Sequence, residues 1–245
     1  MNLTKFHEDI INKFLNEQDM AELYRSYRWP PKSRKMDTWK NGFPDLFKLE
    51  MEISHAAREN SLNNDHLLEI AKWGKLRNKE GISWRDPKKT RFYIDNSPVE
   101  WLEKTPERAI SNLNCLIDGF GPTYCSKLLH FAVPQIFGAL DTRLVRTFGE
   151  NAKRYPLLKL KVIWSGRAWA IPTTQKGWPS EFGTWITSLN YIAQNLNRDK
   201  VECPHPQQYL QFGLRSKSVW LPADVETALF SYTYIDLDKP CSYSQ

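Results

Sequence analysis

Cysteine is scarce, with four residues in a chain of 245: Cys115, Cys125, Cys203 and Cys241. Their irregular spacing argues against a disulfide framework and favours reduced thiols. None of the intervals is that of a zinc or iron–sulfur site, so no metal and no other cofactor is expected. Long apolar runs are also missing, and no segment is expected to cross a membrane. The opening residues, MNLTKFHEDIINKF, mix acids into the apolar positions and lack a small-residue cleavage site, which is not the pattern of a secretion signal. These absences lead to the expectation of a cytoplasmic protein, nucleoid-associated if bacterial. Internal repeats and low-complexity tracts are absent too.

Rings and positive charge are plentiful. Ten Trp, ten Tyr and twelve Phe supply most of a core's buried area. Lys and Arg outnumber Asp and Glu by 34 to 28, a net charge of +6 that suits a polyanionic partner. With 41% hydrophobic and 25% charged residues, the chain has the composition of a globular protein.

Apolar periodicity predicts helices over about 4–18, 44–60, 65–73, 179–196 and 221–233, with 205–212 less regular. The stretch RSYRWPPKSRKMDTWKNG reads as a basic loop whose RSYR and SRK runs can contact phosphates, and 75–96 as a long surface connection. Ser97-Pro98 and Thr105-Pro106 each place a hydroxyl before a proline, the signature of a helix start. The second opens PERAISNLNCLID, which Gly119 is expected to stop. Pro122 opens TYCSKLLHF, and Asp141 opens TRLVRTFG. Alternation in LKLKVIW, then Ser-Gly, then RAWAI predicts a β-hairpin insertion over 157–172. The fold class is mainly α.

The stretch GFGPTYCSKLLHFAVPQIFGALDTRLVRT combines two devices. Backbone N–H groups at a glycine turn before a helix can bind an anion, although the same turn also serves to join two helices. Asp141 is placed as a helix N-cap.

Taken together, Gly119-Phe120-Gly121 and Leu140-Asp141-Thr142-Arg143 resemble the helix-hairpin-helix DNA glycosylase superfamily, the group of endonuclease III. The resemblance covers about thirty residues specifically. In members that have it, the family's catalytic lysine falls at the second residue after the last hairpin glycine. That is Thr123 here, with Asp141 eighteen residues further on, as in endonuclease III.

The resemblance implies a single unit over 1–245, a two-lobed helical bundle with its helix-hairpin-helix at 105–131. It also implies a double-stranded DNA partner held by Gly119, Phe120, Gly121, Thr123 and Lys127. Asp141 would be the catalytic carboxylate, stabilising cationic charge on the sugar while a damaged or modified base is hydrolysed from DNA. With threonine at 123, monofunctional action is expected. Lys127, one helical turn on, is the candidate for a displaced nucleophile, and Phe131 the candidate wall of a base pocket. The family's iron–sulfur cysteines are absent. The alternative is a non-catalytic helix-hairpin-helix DNA-binding protein in which Asp141 only caps.

Overall fold

Two prolines, a capping aspartate and a glycine turn set out the middle of the chain. The computed structural model describes residues 3–29 and 43–237. The SRK run of the basic loop and Cys241 lie outside the described residues. Among those described, the chain is mainly helical, with three two-stranded ladders.

Helices α1 (Lys5–Glu17), α3 (Phe43–Arg58) and α4 (Asn64–Trp73) follow the predicted periodicity. A short α2 (Met20–Arg25), capped by the Asp19 carboxylate on the Glu22 N–H, precedes the basic loop. The connection after α4 carries β1 (Ser83–Trp84) and β2 (Tyr93–Ile94).

Ser97-Pro98 does not start a helix. It forms β3 (Ser97–Pro98), paired with β2, and α5 (Glu100–Lys104) begins behind Val99. Proline fits such a short edge strand because its missing N–H is not needed there. Thr105 does precede α6 (Pro106–Leu116), but its hydroxyl donates back to the Trp101 carbonyl instead of capping.

Helix α6 also ends earlier than Gly119. Ile117 and Asp118 form β4 (Ile117–Asp118), antiparallel to β1, and Arg85 grips Asp118 at 2.6 Å. The β-branched Ile117 suits the extended backbone. Gly119 then turns the chain at φ +77°, and α7 (Pro122–Ala132) follows with Gly121 as its N-cap.

After α8 (Thr142–Phe148) the predicted hairpin shrinks to β5 (Ile163–Trp164) and β6 (Trp169–Ala170), turned at Gly166. The alternation is real over 158–161, with Leu158 and Leu160 buried and Lys159 and Lys161 exposed, but it is not a strand: with Leu157 the leucines anchor an irregular segment in the core.

Helices α9 (Ser180–Arg198), α10 (Gln207–Gln211) and α11 (Pro222–Leu237) complete the fold. Helix α11 is buried from Pro222 to Thr233 and packs against α2, α8 and α9, as a helix without a polar face must. The buried apolar residues form one continuous cluster. Arg215 fastens α3 to α11 inside it. Its Nε donates to Asp224 at 2.8 Å and its Nη2 to Glu50 at 2.9 Å, all three groups being buried. Such a pair adds little over apolar packing, but loss of the cation would strand two buried carboxylates.

Candidate functional site

Helix α7 packs on α3, α4 and α6. Its start faces outward, and its middle faces a narrow pocket of about 20 Å³, room for about one water. The walls are rings: Tyr27, Trp29, Trp73, Phe131 and Phe230. Polar groups reach the pocket from three helices, as Lys127 and His130 of α7, Asp141 at the start of α8, and Glu226 of α11. A wider groove of about 540 Å³ elsewhere carries Glu8 and Glu103 beside Thr187, Asn190, Tyr191 and Gln194. Those acids would repel a polyanion.

The position of Asp141 relative to α7 is fixed by two hydrogen-bond anchors. Ser126 Oγ accepts from the Leu140 N–H at 2.9 Å, and Trp185 Nε1 donates to the Ala139 carbonyl at 2.9 Å. Asp141 is the N-cap of α8, with Oδ1 accepting from the N–H groups of Arg143 at 2.8 Å and Leu144 at 3.0 Å. Its Oδ2 has no hydrogen bond among the described residues. One oxygen is structural, and the other is available to the pocket.

Lys127 is almost fully buried, at 6% exposure. Its Nζ lies 5.1 Å from the ring centroids of Trp73 and Tyr124 and 5.8 Å from that of Trp29. Burial lowers its pKa below the ordinary 10.5, and the charges of Asp141 and Glu226 only partly oppose this. It makes no ion pair or hydrogen bond among the described residues. Desolvation among rings favours the free amine, the form in which a lysine is a nucleophile, while the neighbouring carboxylates work against it.

His130 Nδ1 stands 3.2 Å from Glu226 Oε2, yet off the line of a directed hydrogen bond. Trp73 Nε1 is likewise buried without a partner among the described residues. A buried donor without a partner, beside a residue that lines the pocket, suits a ligand with a polar edge.

Burial raises the Glu226 carboxyl above its ordinary 4.5, with His130 opposing. The folded protein therefore holds a proton that the unfolded chain releases. This contribution to stability is full below 4.5 and is lost as pH rises through the raised value. Glu226→Gln is expected to flatten that decline, as read from thermal melts between about pH 4 and 8. An unchanged slope would show that Glu226 is ionised throughout.

The structure thus brings Asp141, Lys127 and Phe131 to one pocket. Phe131 is fully buried, with its ring edge-on to Trp73. Thr123 does not line the pocket; it sits on the outward first turn of α7, beside the glycines. Phe120 is 7% exposed and packs on Tyr124, so it can meet a partner only through its backbone.

The two glycines differ. Gly119 needs its positive φ, and an added Cβ would also press on Ile82 at 3.1 Å. Gly121 has an ordinary backbone, and an added Cβ would meet open space. Folding alone does not demand glycine at 121.

Glu226, Trp29 and Trp73 were not legible as site residues. The available signal was the pair of acids, Asp224 and Glu226, within the mostly apolar LPADVETALF. Cys203, His205 and Asp224 converge within 4.8 Å, a possible metal-ligating group. Asp224 is already engaged by Arg215 and by the Leu221 N–H at 2.9 Å, and the guanidinium beside it opposes a cation.

No protein-family profile, curated protein or solved structure matches this chain.

Proposed function

We propose that the protein is a DNA glycosylase that breaks the bond between a damaged or modified base and its sugar. The carrying observation is the buried, ring-caged Lys127 in one pocket with Asp141. A flipped base would have to part the rings as it enters, with Trp73 Nε1 and the His130–Glu226 pair at its edges. The free oxygen of Asp141 would face the sugar and stabilise its developing positive charge. The glycine turn before α7, at the junction of the two proposed lobes, would hold a neighbouring phosphate.

Sequence alone favoured attack by water. The pocket favours Lys127. Its neutral amine would bond to the sugar carbon as the base departs with the bond's electrons and takes up a proton. A sugar–lysine imine can follow, which makes the enzyme a lyase as well. The second reading, a DNA-binding protein without chemistry, draws on the two cap hydrogen bonds that Asp141 makes.

The test is single-turnover incubation with a panel of lesion-bearing duplexes, developed with and without alkali. Base release from none of them would sink the enzymatic reading.

Binding has its own expected outcome. Duplex affinity should fall steeply with salt. Gly121→Val should fold, at a capping cost of about 1 kcal/mol, yet bind duplex DNA more weakly because phosphate can no longer approach the turn. Filter binding beside thermal melts checks this. Full affinity in a folded Gly121→Val protein would remove the turn from the interface.

A further inference from the structure

Besides the basic loop before α3, the chain has a second basic stretch. From Thr142 at the start of α8 to Pro179 before α9 there are eight Lys and Arg against one acid, Glu150. That net +7 exceeds the +6 of the whole chain. Glu150 is itself engaged by Lys161 at 3.2 Å.

Within this basic segment the β5–β6 hairpin displays rings to solvent. Trp164 is 56% exposed and Trp169 41%. They are cross-strand partners with ring centroids 5.4 Å apart, and Arg146 of α8 holds its guanidinium 5.0 Å from the Trp169 ring. Arg167 is exposed in the turn between them. Two exposed tryptophans do not stabilise a hairpin of two residues per strand by burial, because they are not buried. Flat rings interleaved with arginines are the surface that binds unpaired bases and their phosphates. A duplex hides its base faces, whereas a single strand offers them.

We propose that Trp164 and Trp169 form a stacking platform for unpaired bases of a DNA strand, with Arg146 and Arg167 on its phosphates. Arg146 lies only about 7.5 Å along α8 from Asp141, at the helical rise per residue. The platform shares no wall with the pocket that Lys127 and Asp141 line. It is a second nucleic-acid site, and it does not require that the pocket be catalytic.

The experiment measures anisotropy of labelled oligothymidine of about twelve nucleotides, within the site sizes of single-strand binders. Wild type should bind, and Trp164→Ala/Trp169→Ala should weaken binding at least about fivefold per ring with an unchanged salt slope. Trp164→Phe/Trp169→Phe should keep most of the affinity. Arg146→Ala and Arg167→Ala should each lower the salt slope by about 0.7.

No binding at low salt, or an alanine double variant that binds like wild type, overturns the proposal. So does equal loss in the alanine and phenylalanine variants. Self-association abolished by the alanine variant, with DNA binding untouched, would reassign the surface to a protein partner and also overturn it. The two proposals fail separately. If no lesion duplex releases its base while single-strand binding depends on the rings, excision falls and the platform stands.

Discussion

Lys127→Ala is expected to abolish borohydride trapping of a protein–DNA complex and to slow base release by two orders of magnitude or more. Each ~1.4 kcal/mol of lost transition-state stabilisation is a factor of ten. The nucleophile is the neutral amine, and burial lowers the Lys127 pKa from 10.5. The fraction of amine grows as pH rises through that lowered value. The rate should therefore climb with pH and level off earlier than an exposed lysine would allow. Stability gives a control. A group whose pKa falls on folding costs stability when protonated, so Lys127→Met, of similar bulk and uncharged, should melt no lower than wild type and resist acid better. Adding Thr123→Lys to Lys127→Ala should not restore trapping, because position 123 lies outside the pocket. Trapping that survives Lys127→Ala, or wild type that releases base yet never traps, would return the reaction to an attacking water.

Local signals made half of this site legible. Pro122 at the first turn of α7 and Asp141 at the cap of α8 act within a few residues of themselves, and both helices start where those residues place them. Position 127 then follows from helical spacing. The opposite wall was not legible. Tyr27, Trp29, Trp73 and Glu226 come from near the ends of α2 and α4 and from α11, and meet α7 only through tertiary packing. The errors have the same origin. Ser97-Pro98 has the local chemistry of a helix start, but pairing with Tyr93 and Ile94 prevails. Ile117 and Asp118 continue a helical pattern, yet the Ser83–Trp84 edge takes them into a ladder. The hairpin turn was set by Gly166, while its strands were cut short because three leucines gain more by burial than by alternation. Helix α2 is too short to show a period.

Asp141→Asn separates an enzyme from a binder. Oδ1 already accepts from Arg143 and Leu144 N–H groups, and an asparagine oxygen can take both bonds. Asparagine is about as good an N-cap as aspartate, so the melting temperature should hold. The Ser126 and Trp185 anchors keep the segment in place in either variant. DNA binding should persist or tighten, since a negative charge facing phosphates has gone. Base release should fall by orders of magnitude, because a neutral amide cannot offset cationic charge on the sugar. A capping role alone predicts otherwise: Asn equals wild type in every assay, and Ala loses about 1 kcal/mol of stability. The decisive measurement is single-turnover base release on whichever duplex the panel identifies, with melts of both variants alongside. An Asn variant that melts normally and releases base at the full rate would leave Asp141 a cap and nothing more.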